Sequence, residues 1–146
     1  MYTPHTVTLY NVGREEPGTY QKDVNITILR GVFLDRSKAV NVSKTGLEGA
    51  DAVNLLIPFS VEAEDGANGR KKRYARPKEY ALAQDKSLLW TLEPGNRCFF
   101  VKGELVEPGW DFQPINSRYD DVYQVTKVDT KDFGSEEMQH WEVGGS

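Results

Sequence analysis

Apolar and polar residues alternate in short runs along this chain, and the runs are separated by turn residues. Val24, Ile26 and Ile28 fall on one face of a period-two stretch, and Asn25 and Thr27 on the other. That spacing predicts a strand. Thr6–Val12 is rich in β-branched and aromatic residues and predicts a strand before it. The polar run from Gly13 to Gly18 separates the two, so the pair reads as a hairpin. Gly31 follows as a candidate kink. Ala39–Val42 is a further short strand, and Lys44–Asp51 a glycine-punctuated connection. Ala52–Phe59 is the most apolar strand. Pro58 cannot donate to a ladder and belongs at its end or on an edge.

The stretch Trp90–Gly103 carries the strongest structural signal. An apolar anchor runs into Pro94-Gly95, and the aromatic strand Arg97–Val101 follows. Phe99 and Phe100 point to opposite faces of that strand. Glu104–Val106, Asp121–Val128 and Gln139–Val143 complete the strands, and Trp110–Asn116 reads as an irregular aromatic loop. Only one helix is expected, a short one starting at Pro77, a favoured first-turn residue. The pattern predicts an all-β fold, a small β-barrel or sandwich with long loops and at most one short helix. There is no repeat and no linker, so residues 1–146 are read as a single β domain with a mobile loop at 62–73.

Composition narrows the function classes. The chain has 146 residues, enough for one core. Its net charge is -4 and its pI about 5.2, which disfavours sequence-independent gripping of duplex nucleic acid. One cysteine, Cys98, rules out an intramolecular disulfide and a Cys-rich zinc site. Met1–His5 has no basic and apolar leader, so no signal peptide is read, and no apolar run approaches a membrane span.

Chemistry is sparse. His5 and His140 stand near opposite ends of the chain without ligand spacing, and surface or strand-edge positions are the expectation. Cys98 sits in an aromatic strand with no neighbouring histidine and reads as a core thiol. Carboxylate doublets such as Glu15-Glu16 and Asp120-Asp121 read as solvated loops, and no metal or cofactor site is assigned. The sharpest charge feature is Arg70-Lys71-Lys72-Arg73, four consecutive cations after the acidic Glu62, Glu64 and Asp65. It can meet phosphate, meet an acidic partner, or balance its own loop. Trp110, between Gly109 and Asp111, is the best single candidate for an exposed interface anchor. Arg70, Lys71, Lys72, Arg73 and Trp110 are therefore the candidate partner-binding residues. No catalytic residue is assigned.

Several stretches taken in order carry a resemblance. They are Thr8–Asn11, Thr27–Phe33, Lys44–Gly46 leading to Ala50–Val53, Ile57-Pro58, Trp90–Leu92, Pro94–Asn96 to Lys102-Gly103, and His140–Val143. Together they resemble small phage and prophage structural proteins of Gram-positive gut bacteria, with a layout similar to head–tail connector (stopper-like) proteins. Asn96 departs from the aspartate usual after that glycine. The resemblance implies a non-enzymatic virion protein that forms a homo-oligomeric ring at the head–tail junction. Its partners would be copies of itself, portal or adaptor proteins and tail proteins. DNA would pass without specific binding, and no membrane would be involved. It would be found in the virion, and in the bacterial host cytoplasm during assembly. The alternative is an OB-like module binding single-stranded nucleic acid with the C-terminal aromatics and the basic run. A small hydrolase using Cys98 is a third reading and requires that thiol to be exposed.

Overall fold

The computed structural model describes residues 2–15, 22–36, 52–105 and 112–146. The strands are β1 (His5–Glu15), β2 (Lys22–Asp35), β3 (Val53–Pro58), β4 (Glu62–Asp65), β5 (Arg73–Tyr74), β6 (Leu89–Trp90), β7 (Gly95–Lys102), β8 (Val122–Lys131) and β9 (His140–Gly145). Two short helices interrupt them, α1 (Pro77–Leu82) and α2 (Phe112–Arg118). Six strands run in the order β1-β7-β8-β9-β3-β2, and pairing of β1 with β2 closes them into a barrel. Closure removes the exposed sheet edges that an open sheet of this size would carry. β4 continues from β3 and pairs with the upper part of β2, so it forms a flap on the wall.

The first hairpin forms as the alternation predicts, with Thr8 opposite Ile28 and Tyr10 opposite Ile26. Its register slips between His5 and Thr6. Gly31 takes up the slip at φ +86°, a conformation that a side chain resists. This restores inward pointing for Val32 and Leu34 after Leu29. Pro58 ends β3 opposite His140, where its missing donor costs least.

Two layers of core follow from the strand parity. Inside the barrel lie Val7, Leu9, Leu29, Leu55, Ile57, Phe100 and Val143, with Trp90 and Trp141 near one end. Outside, Tyr10, Val12, Phe99 and Val101 are covered by Ile115 of α2, with Phe112 and Tyr119 beside it. Phe99 and Phe100 therefore serve different cores. Tyr10 and Phe99 stack at 4.6 Å, nearly parallel, on the outer face.

Two expectations are corrected. The predicted loop at Trp110–Asn116 holds a second helix from Phe112, because Phe112 and Ile115 each have a wall to cover. The 62–73 segment is not a free excursion. β4 is laddered to β2, Asp65 N donates to Arg70 O at 2.8 Å, and Lys72 N donates to Ala63 O at 2.9 Å. The pairing makes 62–72 a tight hairpin lying on the barrel. The alternation in β2 forms as predicted, and the barrel decides which face is inside. Val24 and Ile26 pack outside with the α2 layer, whereas Asn25 and Thr27 share the inward parity of Leu29. The expected strand at Ala39–Val42, the connection Lys44–Asp51 and the Trp110 anchor lie outside the described residues.

Candidate functional site

One end of the barrel is shut by the chain from Lys72 to Leu92. β5 and β6 lie parallel there, with Tyr74 beside Trp90. The rings of Tyr74, Trp90 and Trp141 meet at 4.4 to 5.4 Å with tilted or edge-on geometry, and Phe59 adds a fourth at 4.5 Å from Trp141. Such arrangements contribute beyond their buried area. Trp90 is 1% exposed and is the largest fully buried side chain.

Beneath the rings the barrel interior turns polar. The Asn11 amide pairs with the backbone of Thr91: its Nδ2 donates to Thr91 O at 3.0 Å, and Thr91 N donates to its Oδ1 at 3.3 Å. Opposite it in the ladder stands Asn25. Asn25 Nδ2 lies 3.0 Å from the Tyr80 hydroxyl, 2.9 Å from Lys86 O and 2.8 Å from Leu89 O. The Lys72 ammonium enters the same layer. It donates to Asn25 Oδ1 at 2.6 Å, Ile26 O at 3.0 Å and Thr27 Oγ1 at 3.0 Å. Burial lowers the Lys72 pKa to about 8, against a small opposing pull from Asp65. Each of these bonds ties the 72–92 plug to β1 or β2. Polar groups buried this deeply must be paired, and their pairing sets the plug's position.

Above this layer opens a cleft of about 900 Å³ between the end of the β1–β2 hairpin, α1 and the turn before β7. Asp23 and Glu93 stand against Lys86 and Arg97 around it, and Tyr80 forms part of one wall. Lys86 Nζ lies 5.7 Å from the centre of the Tyr80 ring and donates to Ala83 O. Burial raises the Tyr80 pKa, so its hydroxyl stays protonated at neutral pH. The charges around the cleft thus balance, two carboxylates against two cations.

The four basic residues do not act together. Arg70 and Lys71 are exposed, Lys72 is 8% exposed and Arg73 is exposed with Glu79 at 3.4 Å. The strand-like run alternates faces, which sends Lys72 inward. Lys72 is therefore corrected from a partner-facing cation to the pin of the plug. Cys98 is 1% exposed and burial pushes its thiol up to about 12. A thiol held protonated in the core cannot serve as a nucleophile. The histidines go separate ways. His5 Nδ1 accepts from Leu34 N at 2.9 Å, and His140 sits 3.2 Å from Glu142. Among the described residues no group of three or more His, Cys, Asp or Glu could hold a metal ion. Of the C-terminal aromatics, Trp90, Phe99, Phe100 and Trp141 are buried in the core.

Asn11, Asn25, Thr91 and Tyr80 escaped notice in the sequence. The available signal was asparagine at the inward parity of two adjacent strands, a position that only a buried polar partner can explain.

Fold and site together define a small closed-barrel protein with one end plugged through a buried polar layer. Within that class, the chain belongs to a family of unknown function, DUF6751, whose profile matches residues 2–146. No curated protein and no solved structure matches the chain significantly.

Proposed function

We propose that the chain is a non-enzymatic structural subunit of a phage or prophage virion, forming a homo-oligomeric ring that joins head to tail. The observation that carries this reading is where apolar surface stays uncovered. Leu82 is 85% exposed, Phe133 71%, Met138 52% and Leu88 43%. At the plugged end Asn11, Asn25 and Lys72 are bonded between plug and wall. The uncovered apolar side chains lie on the outside, where another protein chain is the natural cover.

A single chain with two distinct sticky patches makes head-to-tail contacts, which close into rings when the rotation permits. In such a ring DNA passes along the ring axis. The barrel itself offers no passage, because Trp90, Leu92 and Lys72 occupy its plugged end. A net charge of -4 suits a channel that lets DNA slide without gripping it. Portal or adaptor proteins and tail proteins would meet the two faces of the ring, which assembles in the host cytoplasm and ends in the virion.

The test is mass photometry and electron microscopy of the purified chain at high concentration, alone and with the portal protein of the same phage. Rings are the expected result. A chain that stays monomeric under both conditions overturns the reading.

A further inference from the structure

Among the described residues five large apolar side chains are exposed, and four of them, all but Tyr2, fall into two groups with opposite charge around them. The first group is the turn between β8 and β9. Phe133 and Met138 project there beside Asp132, Glu136 and Glu137, and all five are exposed. From 132 to 139 this turn contains no lysine or arginine. The second group is the shoulder formed by α1 and the hairpin before it. Leu82 and Leu88 are exposed there. A shallow depression of about 620 Å³ runs between Lys71, Arg73, Ala83 and Leu88. Exposed Lys71 and Arg73 line it, and Arg70, Arg76 and Lys78, also exposed, flank them in the chain. Two carboxylates stand among them, and both are already engaged. Glu79 lies 3.4 Å from Arg73, and Asp85 accepts from Ser87 N at 2.9 Å.

Between the β8–β9 pair and the β1–β2 pair, β7 intervenes on one side and β3 on the other. The acidic turn adjoins the end of β3, where Phe59 N donates to Gln139 O, and the basic shoulder adjoins β4, where Lys72 N donates to Ala63 O. Both lie toward the plugged end, because β8 runs out and β9 begins at the end where α1 borders the β1–β2 hairpin. The opposite charge around the two apolar groups favours one chain's turn meeting another chain's shoulder over either surface meeting its own kind.

We infer that the subunit contact is heterologous and made by these two surfaces. The Phe133–Met138 turn of one copy seats on the Leu82–Leu88 shoulder of the next, with Glu136 and Glu137 facing Lys71 and Arg73. The apolar side chains supply the buried centre of the contact and the charges its rim, which steers the approach and rejects turn-on-turn pairing. This rests on the ring reading above and names the surfaces that make the ring.

Charge reversal tests it. One variant carries Lys71→Glu with Arg73→Glu, and a second carries Glu136→Lys with Glu137→Lys. A third carries all four changes. All four positions are exposed, and thermal melts verify that each variant folds. At low ionic strength the first two should each assemble about tenfold more weakly than the unaltered chain. An equimolar mixture of those two should assemble again, and so should the fourfold variant alone, because both restore opposite charges across every contact. Assembly that all three variants leave unchanged overturns the contact but leaves the ring. Weakening without rescue overturns the pairing of these two surfaces. No assembly of the unaltered chain under any condition overturns the ring reading itself.

Discussion

Replacing Lys72 by methionine is the sharpest probe of the plugged end. The substitution keeps an unbranched stem and removes the ammonium. Three acceptors lose a donor: Asn25 Oδ1, Ile26 O and Thr27 Oγ1. Ile26 O keeps a partner, since Gly66 N also donates to it at 3.0 Å. The Asn25 and Thr27 oxygens do not share that second bond, and a buried unpaired group costs roughly 1–3 kcal/mol. Relief from burying a charge offsets part of this. The expected net loss at pH 7 is about 2 kcal/mol, read from urea unfolding curves.

The pH dependence carries the sharper test. Burial holds the Lys72 pKa at about 8 in the folded chain, below its ordinary 10.5. Between those two values the unfolded chain binds more protons than the folded one, so rising pH favours the fold. The stabilisation is fully present above 10.5 and is lost as pH falls through about 8. Comparing wild type with Lys72→Met isolates this group from all others. The stability gap should widen by about 1–2 kcal/mol from pH 7 to pH 9.5, after allowance for the water that reaches the lysine stem. A gap that stays flat or narrows would refute the claim that burial, rather than an ion pair, governs this lysine.

Two further outcomes follow from the same packing. Cys98 should resist thiol reagents at pH 8 in the folded chain and react only through the urea transition, because its thiol is buried with a pKa of about 12; rapid native labelling would contradict the core placement. Trp90→Ala should cost about 3–5 kcal/mol in urea unfolding by removing the ring that packs on Tyr74 and Trp141, whereas Trp90→Phe should cost markedly less.

The architecture was readable from local pattern to the extent that local pattern dictates it. Period-two runs, the glycine at 31, the proline at 58 and the Pro77 helix start all act through their own backbone. Each appears where the sequence puts it, as strand, bulge, strand end and helix. The thiol of Cys98 was legible for the same reason, since an aromatic strand predicts a buried face.

What only the tertiary structure decided is which face goes where. β2 shows two faces, and the rule that apolar residues turn inward would choose Val24, Ile26 and Ile28. The barrel chose Asn25 and Thr27 for its inside, because α2 supplies a second apolar layer outside and the plug supplies polar partners within. Both partners come from far along the chain, Lys72 and Lys86 on one side and Ile115 on the other, and no local spacing announces them. The basic run was split for the same reason. Four adjacent cations look alike in sequence, but pairing of 70–72 back onto β4, itself laddered to β2, turned Lys72 into the core and left Lys71 and Arg73 outside. The sequence determined the strands; closure of the barrel, which pairs residues distant in the chain, determined which of their side chains meet each other and which remain to meet a partner.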